Sequence, residues 1–211
     1  NDAAPAAASL SASPSNPGAQ NATPGSTPTA LVFRLVETGG GTAFVVTSVT
    51  VTVATSGNAG NAAISRIASV SLRRGGTLLG TITNGGTGWS VAGDNVTLSY
   101  TGLSSSVSAG GTADFTVNIT LTGASVPTPN PRYIASVTTS GVNGGTAVSG
   151  STATGGQITL ADVAPGDPFA DVEDSGSCDL ATRGGPAWPL ALVAAMLALG
   201  GLRRRRFGRG A

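Results

Sequence analysis

The chain has no histidine and no lysine, a single cysteine, and charged side chains at only 10% of its 211 positions. Each scarcity removes a class of chemistry. Without histidine there is no Ser-His-Asp or Cys-His arrangement, and a general base would have to come from very few carboxylates. One cysteine closes no internal disulfide, and with no histidine beside it the usual zinc ligand sets are out of reach. Cys178 also stands in a polar stretch with no neighbouring base, so it is not expected to act as a nucleophile. All eleven basic residues are arginine, and five fall in the last nine positions. The net charge of +1 therefore describes the C-terminal end and not a basic face, which argues against nucleic acid as a partner. No catalytic, cofactor or metal site is expected.

What the sequence does carry is alternation. In 31–36 (LVFRLV), Leu31, Phe33 and Leu35 share one face, and in 48–53 (SVTVTV), Val49, Val51 and Val53 oppose Ser48, Thr50 and Thr52. The pattern returns in 69–72 and 96–100. It is cleanest in 114–122, where Phe115, Val117, Ile119 and Leu121 face in and Thr116, Asn118, Thr120 and Thr122 face out. Threonine on the solvent side keeps β propensity without exposing apolar surface. Gly-Gly-Thr recurs at Gly40, Gly75, Gly85, Gly110 and Gly144, where glycine supplies the positive φ of tight turns and threonine restarts an extended segment. The irregular spacing excludes a solenoid repeat. About eight to ten short strands in roughly 130 residues predict an all-β fold, an antiparallel β-sandwich of Ig-like type, over 30–161.

The flanks read differently. Residues 1–29 are rich in Ala, Ser and Pro with almost no large apolar side chain, which predicts a disordered leader, and the Ala-rich start resembles the region beyond a removed secretory signal. Residues 162–183 hold Asp162, Asp167, Asp171, Glu173, Asp174 and Asp179 among Pro-Gly and Asp-Pro steps, which predicts a solvated, flexible spacer. Calcium ligation is the alternative for that cluster, although its spacing fits no EF-type loop. In the central region the acids are Glu37, Asp94 and Asp114. Asp94 with Asp114 could supply a paired-carboxyl glycosidase site, but the first reads as a turn residue and the second as a strand start.

The last 28 residues, 184–211, form a sorting device. The uncharged span from Gly184 to Leu202 would cover roughly 28 Å as helix against a hydrocarbon core of roughly 30 Å. It just reaches across, with Trp188 at headgroup level. Arg203, Arg204, Arg205 and Arg206 stay on the cytoplasmic side, which places the N-terminal bulk outside. A single C-terminal transmembrane helix is therefore predicted. The alternative, a core helix ending in a basic patch, has no other helical pattern to pack against.

This tail resembles bacterial C-terminal sorting signals of the MYXO-CTERM type. Cys178 matches their cysteine, 190–202 the apolar helix and Arg203–Arg206 the terminal cluster. The resemblance implies cleavage by an intramembrane protease of the myxosortase kind and retention on the cell surface, with Cys178 as the processing or attachment residue. Gly184 and Gly185 are similar to GlyGly-CTERM signals, which implies a rhombosortase-type protease instead. The stretches 31–37, 47–53, 67–74 and 108–122, in that order, also resemble a β-sandwich module of bacterial secreted and surface proteins. Together they predict an exported cell-surface protein with a structural or adhesive role. Its partners would be the membrane, the sorting protease and a surface glycan or envelope protein. The alternative is a carbohydrate-binding module or an accessory fragment of a surface hydrolase, which needs Trp89, Tyr100 or Tyr133 exposed in a groove.

Overall fold

Period-two alternation becomes strand wherever a second strand is available to pair with it. A computed structural model describes residues 6–57, 62–126, 129–145 and 147–161, and the described residues form fifteen strands. They are β1 (Ala8–Ala12), β2 (Gln20–Ala22), β3 (Thr29–Glu37), β4 (Phe44–Val46), β5 (Val49–Ser56), β6 (Ile67–Arg74), β7 (Thr77–Thr83) and β8 (Trp89–Ala92), followed by β9 (Asn95–Tyr100), β10 (Ser105–Val107), β11 (Thr112–Leu121), β12 (Arg132–Val137), β13 (Val148–Gly150), β14 (Ala153–Thr154) and β15 (Ile158–Leu160). One sheet has the order β13-β1-β3-β11-β6-β7. The other has the order β2-β15-β12-β5-β9-β8, with β14 beside β12, and β4 pairs with β10 in a short ribbon.

The inner faces are the predicted ones. Leu31, Phe33, Leu35, Phe115, Val117 and Ile119 are fully buried in the first sheet, and Val49, Val51, Val53, Val96 and Leu98 meet them from the second. Phe33 and Phe115 are register partners on β3 and β11, and their rings stack at 5.1 Å between centroids. Each such side chain taken from water stabilises the fold by about 1.5–3 kcal/mol. Chain reversal follows the glycines: Gly75 and Gly76, both at positive φ, form the two-residue β6–β7 turn, since Arg74 pairs with Thr77.

Two expectations need correction. Residues 6–29, expected to belong to a disordered leader, are part of the sandwich: β1 lies between β3 and β13, and Ala8 and Leu10 are buried. A segment with one large apolar residue folds here because two existing strand edges satisfy its backbone groups, so its own hydrophobicity need not drive it. The sandwich therefore begins near residue 8 and not at 30. Nor is it purely antiparallel, because β1 pairs with β13, and β2 with β15, in parallel. The spacer 162–183 and the tail 184–211 lie outside the described residues. Among those described, no helix is long and apolar enough to cross a membrane.

Candidate functional site

Alternation that buries one face of β3, β11 and β6 turns the other outward: Ser69, Ser71, Thr116 and Thr120 stand there half-buried with Arg73, Asn118, Asp114 and Arg34, and Val32 and Val36 continue the face on β3. Ser71 pairs with Thr81 and Ser69 with Thr83 across β6 and β7, while Thr116, Asn118 and Thr120 continue the face on β11. Asn118 Oδ1 accepts from Thr29 Oγ1 at 3.0 Å, and Thr120 Oγ1 from Thr27 Oγ1 at 3.3 Å.

One ion pair stands on this face. Asp114 and Arg34 are opposite each other in the β11–β3 register, and the guanidinium grips the carboxylate twice, Nε to Oδ1 and Nη2 to Oδ2, both at 2.8 Å. The Arg34 hydrogen bond, helped by the Ser13 hydroxyl, holds the Asp114 carboxyl below its usual range. An acid so committed is charged and acceptor-only at neutral pH, a poor proton donor. A shallow cleft of about 510 Å³ beside it is lined by Ser15, Pro17, Val32, Asp114 and Thr116 among others. A second, of about 600 Å³, lies by Leu78, Leu79 and Leu103. Leu78 at the β6–β7 hairpin is half exposed, as are Val91 on the edge strand β8 and Val45 on β4.

The other acids are structural. Glu37 is only 3% exposed, and its carboxylate accepts from Gly110 N at 2.6 Å and from Gly40 N at 3.0 and 3.1 Å. The Gly110 hydrogen bond, with those of the 39–40 loop and Ala7, lowers its pKa. It therefore clamps the loop after β3, the turn before β11 and the N-terminal segment to one point. Asp94 sits in the β8–β9 turn, where its carbonyl accepts from Thr55 N and Oγ1, both at 2.8 Å. Because β8–β9 and β11 belong to different sheets, Asp94 and Asp114 are not brought together as a carboxyl pair. Among the described residues no group of three or more Cys, Asp or Glu converges as a metal cage would.

The aromatics bear on the two binding readings. Tyr100 is 4% exposed and Tyr133 not at all. The Tyr100 hydroxyl donates to Val70 O at 2.8 Å, tying one sheet to the other, and that of Tyr133 donates to Ala63 O at 3.0 Å. Burial pushes both phenols above their usual pKa range. Trp89, half-buried and packed against the core, is the remaining candidate for a sugar platform. The Tyr100 position carried a signal in the sequence, since it shares the parity of Val96 and Leu98. Glu37 likewise continues the inward series Leu31, Phe33, Leu35. Arg74, passed over among the candidate residues, continues the inward series Val70 and Leu72: its guanidinium stands 5.9 Å over the Phe115 ring and donates to Ser105 Oγ at 3.0 Å. The sorting residues Cys178, Gly184, Gly185, Arg203, Arg204, Arg205 and Arg206 lie outside the described residues.

No protein-family model and no curated protein matches the chain. Among solved structures, it is similar in fold to AvmM, which catalyses macrocyclization in alchivemycin A biosynthesis, with TM-score 0.37 and 10% identity over 77% of this chain and 90% of that one. CaCohA2 from Clostridium acetobutylicum matches with TM-score 0.34 and 11% identity over 75% and 94%. The N-terminal domain of the Streptococcus gordonii adhesin Sgo0707 matches with TM-score 0.30 and 12% identity over 74% and 32%. These are distant likenesses, and no partner or activity follows from them.

Proposed function

We propose that this chain is an exported cell-surface module with a structural or adhesive role. Its C-terminal segment would carry it to the envelope, and it would engage an envelope protein through a sheet face. The observation that carries the binding half is the division of labour in the sandwich. Glu37, Asp114, Arg34, Arg74, Tyr100 and Tyr133 are each engaged in holding the fold together. What is left on the outer face of β6, β7 and β11 is a set of hydroxyls, Ser69, Ser71, Thr81, Thr83, Thr116 and Thr120, with Arg73 among them and half-exposed Leu78 beside them. Such a surface suits contact over an area, in which many neutral hydrogen bonds replace those to water, better than it suits turnover in a pocket. The export half rests on Cys178, the uncharged span 184–202 and Arg203–Arg206. Burial of both tyrosines weighs against the sugar-platform alternative, which is left with Trp89.

The binding half is tested on cells. Deleting the chain should reduce attachment of the producing cells to each other or to a surface. The double substitution Ser71→Arg and Thr81→Arg, which puts two charges on the hydroxyl face, should reduce it as far while the amount displayed stays the same. Attachment unchanged by the deletion would contradict the adhesive role.

A further inference from the structure

We infer that the sandwich is built to bear tension between its two ends. The observation is the parallel seam along which the N- and C-terminal segments run side by side. Ala8, Ser9 and Leu10 pair with Val148, Ser149 and Gly150, and Gln20, Asn21 and Ala22 pair with Ile158, Thr159 and Leu160, each in the same direction. Between these two ladders the segments stay together. Gly156 N donates to Pro17 O at 3.1 Å, and Asn16 Nδ2 donates to Thr154 O at 2.8 Å while its Oδ1 accepts from Val32 N at 2.9 Å. Ala8 N to Ala147 O, Ser151 N to Leu10 O, Gln20 N to Gln157 O and Ala161 N to Ala22 O, at 2.9–3.0 Å, complete the seam.

The two segments also keep one heading from end to end. β1 runs antiparallel to β3 from Glu37 to Phe33, Ser13 N continues to Val32 O, and Gln20 Nε2 reaches Thr29 O. Glycines let the backbones approach this closely: a Cβ at Gly150 would overlap the Leu10 carbonyl oxygen, and one at Gly156 the Gly18 backbone. Pulling residue 8 backward and residue 160 forward therefore slides parallel strands along each other. In that direction the hydrogen bonds lie across the load and must yield together. When both strands are pulled from the same end, they peel one bond at a time. The geometry is specific to a load applied through the two chain ends, and it belongs to the folded sandwich wherever the chain is displayed.

The test is single-molecule force spectroscopy on the full chain, with one handle on an N-terminal tag and the other on the Cys178 thiol, the chain's single cysteine. The comparison is Thr23→Cys, pulled between residues 23 and 178. Thr23 is exposed just past β2, so load then enters β2 and β15 from the same end. End-to-end pulling should require at least about twofold more force than the peeling geometry, because two or more hydrogen bonds break at once. Matching midpoints in chemical denaturation show that the substitution leaves the fold intact. Equal force in the two geometries, or a weaker end-to-end link, would overturn the inference. Attachment of cells can fail or succeed independently of this result, so the two proposals are separable.

Discussion

Replacing Ile119 by Ala removes three carbons from the middle of β11, the strand flanked by β3 and β6 in the first sheet. The side chain is fully buried. Three methyl or methylene groups at about 0.8 kcal/mol each give about 2.4 kcal/mol for transfer alone. The cavity left among strands that cannot collapse independently raises the cost toward the range of about 2–5 kcal/mol seen for such truncations. For a domain of this size each kcal/mol lowers the melting midpoint by about 2–4 °C, so the loss should be roughly 4–20 °C. Thr120, the next residue, points to the outer face with a single 3.3 Å contact to Thr27, and Thr120→Ala should stay within about 0.5 kcal/mol. Thermal and urea unfolding of the two variants side by side decides the matter. Equal shifts, or a larger one for Thr120→Ala, would falsify the assignment of faces and with it the packing of the sandwich.

Other consequences can be read with simpler assays. Glu37 has a folded-state pKa below its ordinary value of 4.5, so its contribution is fully present above that pH and is lost as pH falls through the folded value. Glu37→Gln should melt lower than the wild type at pH 7, with the gap narrowing below pH 4.5; a gap constant from pH 7 to 3 contradicts the carboxylate clamp. At Gly155 the added methyl of Gly155→Ala would overlap the Ala30 carbonyl oxygen, and the melting midpoint should drop clearly, whereas Gly18→Ala, with open space at its Cβ, should not do so for steric reasons. Finally, the intact protein should turn over neither ester nor polysaccharide substrates; turnover abolished by Asp94→Ala or Asp114→Ala would refute the non-enzymatic reading.

Where the sequence was legible, a single rule sufficed. Parity along a strand assigned the inner faces of β3, β5, β6, β9 and β11. Carried one step further, the same rule reaches Glu37 and Tyr100, which a reading by residue type placed among candidate site groups. It does not reach β1 and β2, because β1 is held between β3 and β13 and β2 lies against β15, and the parallel partners β13 and β15 lie more than a hundred residues away, which leaves no local pattern. Parity along β6 also reaches Arg74, on the inner side with Val70 and Leu72; what no local pattern shows is how an inward guanidinium is tolerated, because Phe115 and Ser105 arrive from β11 and β10. Of the candidate site, the hydroxyl face was visible as the outward threonines of 114–122. The Arg34–Asp114 pair was not, since it depends on the β3–β11 register.

The claim that this chain works at a cell surface rests on its last 34 residues, and one measurement addresses it directly: the mass of the mature C-terminus recovered from the envelope of the producing cell. The expected product is a chain ending near Cys178, without Arg203–Arg206, held at the surface through a modification of that cysteine. In a Cys178→Ser strain the full-length precursor should remain in the inner membrane with its sandwich folded. A surface protein clipped normally in that strain would shift recognition to Gly184 and Gly185. An intact wild-type protein still carrying Arg206 would contradict the sorting account.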